Sequence, residues 1–256
     1  MKAPISGAGI GNMKQIESIH KPGTVGYIQA NRPRFQKFYD CLEQLEVPNG
    51  TALMRASNYN AAHNRNEIVC AMEGDWILFL DDDHAFESSA LIRLLNHNVD
   101  IVTGLYCRRY APFESVIYKT FDPIKHEIEL YSWEDLSEMS GLIEIGASGA
   151  GFLLVKKNVL ENMDPPYFRV GGSHWREWEL EKDVIGEDTG FCWRARELGY
   201  KVHCDIDVSI AHIPDETLLV PMRQPSNGAF NIMHENGEHR VFTLAEQQRK
   251  KRLHLA

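Results

Sequence analysis

The chain has 256 residues, 43% of them hydrophobic and 25% charged, and a formal net charge of −9. Such values are typical of a globular protein with a substantial core, and the negative charge disfavours tight, nonspecific binding of nucleic acid over the whole surface. No stretch reaches the ~18 apolar residues of a membrane helix, and residues 1–20 lack the apolar segment of a signal peptide. We therefore expect a cytoplasmic protein, or one in the host cytoplasm if the chain is viral.

The cysteines argue against a disulfide framework and against a structural zinc site. They are odd in number, far apart and never arranged as Cys-x-x-Cys. We expect all of them to be reduced, namely Cys41, Cys70, Cys107, Cys192 and Cys204.

Residues 1–21 are rich in glycine and lack a sustained hydrophobic period, which predicts a flexible or draped arm. From residue 24 onward, short apolar segments alternate with helical patterns. This alternation predicts a mostly parallel sheet with helices on both faces, as in the nucleotide-binding half of an α/β protein. The predicted strands are residues 24–29, 51–57, 76–80 and 101–106, and the predicted helices centre on residues 35–42, 68–72 and 91–95.

The unbroken apolar run of residues 76–80 predicts a central strand that is buried on both faces. Asp81, Asp82 and Asp83 follow it, at the edge where open α/β sheets bind ligands. Two carboxylates ~5 Å apart repel by ~3 kcal/mol at an effective dielectric constant of ~20, so we expect Mg²⁺ or Mn²⁺ to relieve the repulsion. A solvated acidic turn is the alternative interpretation.

The second half of the chain has a different pattern. Residues 115–121 and 127–131 flank an Asp-Pro-Ile-Lys turn and predict an antiparallel hairpin that extends the sheet, with a short helix at 133–139 behind it. The glycines at 146–151 precede a strand at 152–155 instead of opening a helix, which excludes a dinucleotide-binding fingerprint. They predict close approach of the backbone to a ligand or to another strand, or close packing alone.

The C-terminal part contains two further helices, two strands and a segment without a clear period that holds two tryptophans. We interpret that segment as a functional loop or lid. The predictions are a helix at 158–163, the loop or lid at 167–182, a helix from 186 to 199, and strands at 200–206 and 208–213. Beyond residue 214 we expect a tail that wraps back over the domain and ends in a helix with the basic run 249–252.

Three polar residues have both a functional and an ordinary interpretation. Asp188 could deprotonate a substrate hydroxyl, or it could merely cap a helix. His212 could be a metal ligand or a buried core histidine, and Arg65 could meet a substrate or only lie on the exposed face of its helix. An acidic strand end, Glu187-Asp188 at a helix start and a histidine after the following strand occur in that order, which favours a shared site.

Taken together, these segments resemble glycosyltransferase family 2, whose members have the GT-A fold. The resemblance covers about residues 24–214. It is carried by Leu80-Asp81-Asp82-Asp83, residues 146–155, Gly186-Glu187-Asp188 with Phe191-Cys192-Trp193-Arg194-Ala195, Gly199-Tyr200-Lys201-Val202 and Ala211-His212. The resemblance implies a GT-A domain at 22–220, in which about 22–110 bind a nucleotide-sugar donor and about 111–220 bind an acceptor. Residues 1–21 and 221–256 would then be an N-terminal arm and a C-terminal tail.

The resemblance also implies roles for individual residues. Asp188, with Glu187 beside it, matches the base that deprotonates the acceptor. The residues that match metal ligands are Asp81 and Asp83 of the Asp-x-Asp motif and His212. The positions that match donor contacts are Gln29, Asn31, Arg32, Asn58, Arg65, Asp81 and Asp82. Asn58 and the serine before it stand where the family has an acid that reads the nucleotide base, so the base stays unassigned.

These matches predict a metal-dependent enzyme that moves one sugar from a nucleotide diphosphate sugar to an acceptor hydroxyl, with inversion. The Gln-x-x-Arg-Trp segment of processive synthases is missing. The acceptor is a glycan or a hydroxymethylated base in viral DNA, whose phosphate backbone residues 249–252 could contact. A sugar nucleotidyltransferase is an alternative, although residues 29–33 contain no glycine-rich phosphate loop. The second alternative is a catalytically inactive sugar-binding domain.

Overall fold

The computed structural model describes residues 13–29, 35–57, 60–169, 185–214, 219–223, 228, 230–234 and 239–240. Within these ranges the helices are α1 (Gln36–Gln44), α2 (Ala61–Cys70), α3 (Ala90–Asn96), α4 (Trp133–Ser137), α5 (Lys157–Glu161) and α6 (Glu187–Glu197). The strands of the first half are β1 (Lys14–Ile16), β2 (Thr24–Ile28), β3 (Glu46–Pro48), β4 (Ala52–Ala56), β5 (Trp76–Asp81), β6 (His84–Ala85) and β7 (Ile101–Leu105). Those of the second half are β8 (Ile117–Asp122), β9 (Glu127–Leu130), β10 (Leu142–Ile145), β11 (Ala147–Ser148), β12 (Phe152–Lys156), β13 (Val202–Ser209), β14 (Ala211–His212), β15 (Leu219–Arg223), β16 (Phe230–His234) and β17 (His239–Arg240). None of these helices is long and apolar enough to cross a membrane.

Seven strands form the central sheet in the order β10-β13-β7-β12-β5-β2-β4. β2 pairs in parallel with both β4 and β5, and β7 pairs in parallel with β13. β12 runs antiparallel to both β5 and β7, so those two strands point the same way, and β10 is antiparallel to β13. The prediction of a mostly parallel central sheet in an α/β protein is therefore confirmed.

β5 is an interior strand with apolar side chains on both faces, as its unbroken run predicts. Ile77 and Phe79 belong to one hydrophobic cluster. Trp76, Leu78 and Leu80 belong to the other, and all five side chains are buried. The sheet therefore separates two cores, and the acidic residues begin where β5 leaves them.

The predicted hairpin is present, but it does not extend the central sheet. β8 and β9 pair antiparallel, and β11 pairs with the other side of β8, which gives a separate three-stranded sheet. The backbones approach closely where β11 begins, because a β-carbon on Gly146 would lie 2.8 Å from the backbone nitrogen of Phe121. Gly146 thus serves close packing against a neighbouring strand, one of the roles predicted for these glycines.

The two strands predicted at 200–206 and 208–213 are one longer strand, β13, followed by the short β14. A shift in register against β7 after Asp205 takes up extra residues. As a result, Cys204 belongs to one core and Val208 to the other. The alternation of apolar residues in the sequence continues through this irregularity. It therefore does not reveal that the apolar side chains after Asp205 point to the opposite face of the sheet.

The described end of the predicted N-terminal arm packs against the domain. β1 pairs in parallel with β3, a strand that the sequence analysis did not predict, and Met13 is buried. The indole Nε1 of Trp76 donates a hydrogen bond to the carbonyl oxygen of Lys21 at 2.9 Å. Residues 13–21 therefore lie against the folded domain, which fits the draped alternative of the predicted arm and not the flexible one, whereas residues 1–12 lie outside the described residues.

A five-stranded sheet, in the order β17-β16-β15-β14-β6, connects the tail to the strand ends of the central sheet. β6 follows β5 and β14 follows β13, and these two short strands pair antiparallel, with His84 opposite His212. β15 and β16 add to β14, so the described part of the tail returns to the domain. The predicted final helix and its basic run lie outside the described residues.

Candidate functional site

The ends of several strands meet at a cleft with a volume of about 400 Å³. It lies beyond the carboxyl end of β5, at the edge of the sheet where the sequence predicts a site. The lining residues are mostly polar or glycine, and they are Asp81, Asp83, His84, Tyr106, Arg108, Arg109, Val116, Tyr118, Gly149, Ala150, Gly151, Gly186, Asp188, Thr189 and His212.

Asp83, His84 and His212 form a buried cluster that could hold a metal ion. Each residue offers one ligand atom, and these atoms all lie within 4.8 Å of one another. The pairing of β6 with β14 stacks the two imidazole rings, whose centroids are 4.5 Å apart. Asp83 directly precedes β6, and its Oδ1 lies 3.2 Å from His84 Nδ1 while its Oδ2 lies 3.5 Å from His212 Nε2.

The hydrogen bonding of the two histidines fits a bound cation. The Nδ1 of His212 lies 2.8 Å from the carbonyl oxygen of Cys107. Because a carbonyl oxygen only accepts, Nδ1 carries the proton and the lone pair of Nε2 is left for another partner. This Nε2 and both ring nitrogens of His84 are buried, and among the described residues none of them has a contact with hydrogen-bond geometry, although Asp83 oxygens lie 3.2 Å from His84 Nδ1 and 3.5 Å from His212 Nε2. A cation held here would satisfy these buried nitrogens.

Asp83 is the anionic member of the cluster. Burial raises the pKa of its carboxyl, but His212 and His84 outweigh that effect and hold the pKa well below its usual range. The side chain is therefore ionised at neutral pH. Two imidazoles and one carboxylate suit a first-row ion such as Mn²⁺ better than Mg²⁺, which prefers oxygen ligands.

Arg65 holds two of the predicted site residues in an ion-pair network. Its guanidinium donates to Asp81 Oδ1 at 2.7 Å and to Glu187 Oε1 at 2.6 Å, and only 2% of the residue is exposed. The family resemblance implies that Arg65 lies near the donor phosphates, and in the structure its side chain joins α2 to the end of β5 and the start of α6. Asp81 lines the cleft but is not one of the three residues whose ligand atoms converge.

We expect Arg65→Met to destabilise the protein, because it leaves Asp81 and Glu187 without their shared counterion. Breaking a buried ion pair costs ~3–5 kcal/mol, and since the side chains of both acids are 27% exposed, we expect about 2–3 kcal/mol less free energy of unfolding. Urea denaturation measures the change. Arg65→Lys, which keeps the charge but loses the two-pronged geometry, should recover about half of it. Equal stability of Arg65→Met and the parent would contradict this role.

Asp188 lies in the first turn of α6 and lines the cleft. Gly186 is the N-cap residue, so Asp188 is not the cap, although its Oδ1 accepts a hydrogen bond of 2.7 Å from the backbone N–H of Thr189. Burial, followed by repulsion from Glu187, raises the pKa of Asp188 to about 6, and Arg65 partly opposes this rise. A carboxylate with such a pKa can accept a proton at neutral pH.

Two predicted donor contacts within the described residues, Gln29 and Asp82, do not line the cleft. The amide Nε2 of Gln29 donates to the hydroxyl of Tyr39 at 2.9 Å, so this side chain binds helix α1. Asp82 is buried and is absent from the residues that line the cleft. Three predicted donor residues lie outside the described residues, and their roles stay predictions: Asn31, Arg32 and Asn58.

Three basic residues of the cleft were not predicted from the sequence. His84 is in the metal-binding cluster, and its signal was the histidine that ends the Asp-Asp-Asp-His segment. Arg108 and Arg109 follow β7, where two adjacent arginines after a buried strand were the signal. The Nη2 of Arg109 lies 3.1 Å from Asp83 Oδ2, and Arg108 pairs with Glu114 at 3.3 Å.

Gly149 and Gly151 let the backbone approach side chains that line the cleft. A β-carbon on Gly151 would lie 2.5 Å from Cε1 of His84. One on Gly149 would lie 2.6 Å from the hydroxyl of Tyr106 and 3.5 Å from Asp188 Oδ2. Both positions therefore require glycine because of side chains that line the cleft.

We expect Gly151→Ala to displace the imidazole of His84 and to weaken Mn²⁺ binding by about tenfold or more, as loss of orientation at a metal ligand does. Gly26→Ala is the matched control, because its added methyl group meets the core residue Ile68 instead of the cluster. It should keep the Mn²⁺ affinity within about twofold of the parent. Calorimetric titration of Mn²⁺ into each folded variant measures both. An unchanged affinity in Gly151→Ala would argue that His84 is not a ligand.

Comparison with known proteins gives a likeness of fold. The crystal structure of A197 from STIV matches this chain with a TM-score of 0.53 and 18% sequence identity, over 86% of this chain and 97% of that chain. No family model and no curated protein sequence matches the chain. At such identity the structural likeness shows the fold alone, so function has to be inferred from the residues of the cleft.

Proposed function

We propose that this chain is a divalent-cation-dependent glycosyltransferase with a GT-A-type fold, which transfers one sugar from a nucleotide diphosphate sugar to an acceptor hydroxyl with inversion. The main support is that one cleft contains both the Asp83–His84–His212 cluster and Asp188. The reaction needs a cation site for the departing diphosphate and a carboxylate for the proton of the attacking hydroxyl. The cluster and Asp188 are suited to these two roles.

The residues of the cleft divide the reaction between them. Bound to Asp83, His84 and His212, a cation would neutralise the charge that develops on the diphosphate as the bond between the sugar carbon and the phosphate oxygen breaks. Asp188 accepts the proton of the acceptor hydroxyl while the hydroxyl oxygen forms its bond to the same carbon. Arg109, on the same cleft, adds positive charge toward an anionic leaving group. Attack opposite the leaving group inverts the carbon.

For the acceptor we propose a glycan hydroxyl. The alternative, a hydroxymethylated base in viral DNA, depends on residues 249–252, which lie outside the described residues, and the net charge of −9 opposes a DNA partner. Incubation of labelled donor with glycan acceptors and with hydroxymethylated duplex DNA separates the two. Label found only in the DNA would overturn the choice of a glycan.

Donor turnover tests the proposed reaction. We expect one member of a panel of nucleotide diphosphate sugars to be hydrolysed slowly with Mn²⁺, to stay intact with EDTA, and to be hydrolysed again when excess Mn²⁺ is restored. A sugar nucleotidyltransferase would instead consume a nucleoside triphosphate and a sugar phosphate. An inactive sugar-binding domain would turn over nothing, and either of these results contradicts the proposal.

The pH dependence of transfer follows from the pKa of Asp188. A general base acts only when it is ionised, so with a pKa of about 6 the rate should level off above about pH 7 and fall about tenfold per unit well below pH 6. Because Arg65 lowers the pKa of Asp188, the inflection should move to higher pH in Arg65→Met. Transfer rates at saturating donor and Mn²⁺ across this range measure both effects, and a flat profile would argue against Asp188 as the base.

A further inference from the structure

Arg109 contacts the carboxylate that the proposed cation would bind. Its Nη2 lies 3.1 Å from Asp83 Oδ2, and His212 Nε2 lies 3.5 Å from that oxygen. The side chain of Asp83 is 3% exposed and that of Arg109 is 34% exposed. The guanidinium therefore reaches the buried cluster from the open side of the cleft.

A guanidinium and a divalent cation repel each other when both bind the carboxylate of Asp83. Like charges a few ångströms apart repel in proportion to the product of their charges, and partial burial reduces the screening by water. Arg109 and the cation therefore weaken each other's binding to Asp83.

We propose that Arg109 is an internal competitor for the cation on Asp83, and that this competition makes the cation and the donor diphosphate bind cooperatively. The inference rests on the proposed function. When a cation takes Asp83, the guanidinium of Arg109 loses its partner while it stays in the cleft, and the diphosphate offers it a new anionic one. Without the donor, the cation displaces Arg109 from Asp83 and the guanidinium gains no new partner. With the donor, the diphosphate pairs with the displaced guanidinium, so the cation and the donor strengthen each other's binding.

Arg108 does not have this relation to the cluster, although it lines the same cleft. It pairs with Glu114 at 3.3 Å, and its side chain is 49% exposed. Arg108→Gln thus removes one positive charge near the site without removing the contact on Asp83. It is the matched control for Arg109→Gln, because both changes alter the net charge of the cleft by the same amount.

Two calorimetric titrations of the full chain test the inference. With MnCl₂ alone, Arg109→Gln should bind Mn²⁺ at least about fivefold more tightly than the parent, and Arg108→Gln less than about twofold more tightly. With preformed manganese pyrophosphate as a probe without a base, Arg109→Gln should bind at least about fivefold more weakly than the parent. Opposite changes in the two affinities are the signature, since a loss of folded structure would weaken both.

The outcomes separate this inference from the proposed function. If the parent binds Mn²⁺ and Arg109→Gln binds it equally well, or no better than Arg108→Gln, then Arg109 does not compete for Asp83 and the inference is overturned while the metal site stands. If Arg109→Gln binds both probes more tightly, the link to the diphosphate is overturned. If the parent binds no Mn²⁺, the metal site and the inference are both overturned.

Discussion

Asp188→Asn is expected to fold and to bind donor like the parent, but to transfer sugar at least ~10²-fold more slowly. The amide has almost the shape of the carboxylate, and its oxygen can still accept the hydrogen bond from the backbone N–H of Thr189. It cannot take up the proton of the acceptor hydroxyl. A general base contributes about 10²–10⁴-fold, or ~3–5 kcal/mol of the barrier, so single-turnover transfer at saturating donor and Mn²⁺ measures the effect.

The stability of Asp188→Asn provides an independent check. The pKa of Asp188 is about 6 in the folded protein against an ordinary value of 3.8, so the folded state binds the proton more tightly than the unfolded state. Stability is therefore lost as the pH rises from about 4 through 6, and the ionised side chain destabilises the fold at pH 7. Asparagine has no such charge. The variant should melt at the same temperature as the parent or higher at pH 7, with a difference that disappears near pH 4.

Glu187→Gln distinguishes Asp188 from its neighbour. Glu187 is paired with Arg65 at 2.6 Å and does not line the cleft. We expect its substitution to reduce the free energy of unfolding more than Asp188→Asn does, and to slow transfer less. A larger loss of transfer in Glu187→Gln than in Asp188→Asn would make Glu187 the base.

Local patterns predicted those parts of the fold that depend on neighbouring residues. The run 76–80 predicted β5 because burial on both faces of a sheet removes the alternation of polar and apolar side chains. The acids after it were placed correctly at the sheet edge, and Asp188 was placed at the start of α6. Each of these inferences uses information within about ten residues of chain.

The contacts that build the cleft are made between distant segments, and local patterns did not reveal them. His84 meets His212 through two strands of two residues each, which are too short to show a period. The three consecutive acids look equivalent in the sequence but have different surroundings in the fold. Asp81 binds Arg65, Asp82 is buried away from the cleft, and Asp83 joins the histidines.

Arg65 makes contacts that its local sequence does not predict. Its helix does bring it to the acidic end of β5, where phosphate contacts were predicted. Its second partner, Glu187, is 122 residues away and comes from α6. Once both carboxylates bind the guanidinium, the arginine acts as a bridge between elements, and no pattern within α2 indicates this.

Asp83→Asn is expected to weaken Mn²⁺ binding by at least about 100-fold, since even the loss of an outer partner of a ligand costs about 10–100-fold. The substitution keeps the shape of the side chain and removes the negative charge of the cluster. His212→Ala removes one nitrogen ligand without changing that charge, so we expect a smaller loss. Electron paramagnetic resonance of free Mn²⁺ measures both affinities directly, per folded molecule.

His97→Gln is the control for His212→Ala, because His97 is also a histidine bound to an acid, with Nε2 2.8 Å from Asp205 Oδ2, but does not line the cleft. We expect it to lower the melting temperature and to leave Mn²⁺ affinity within about twofold of the parent. If His212 were only a core histidine, His212→Ala would behave like this control, with a lower melting temperature and normal Mn²⁺ affinity. Retained Mn²⁺ binding in both Asp83→Asn and His212→Ala would mean that the cation binds elsewhere, and the proposed role of the cluster would have to be abandoned.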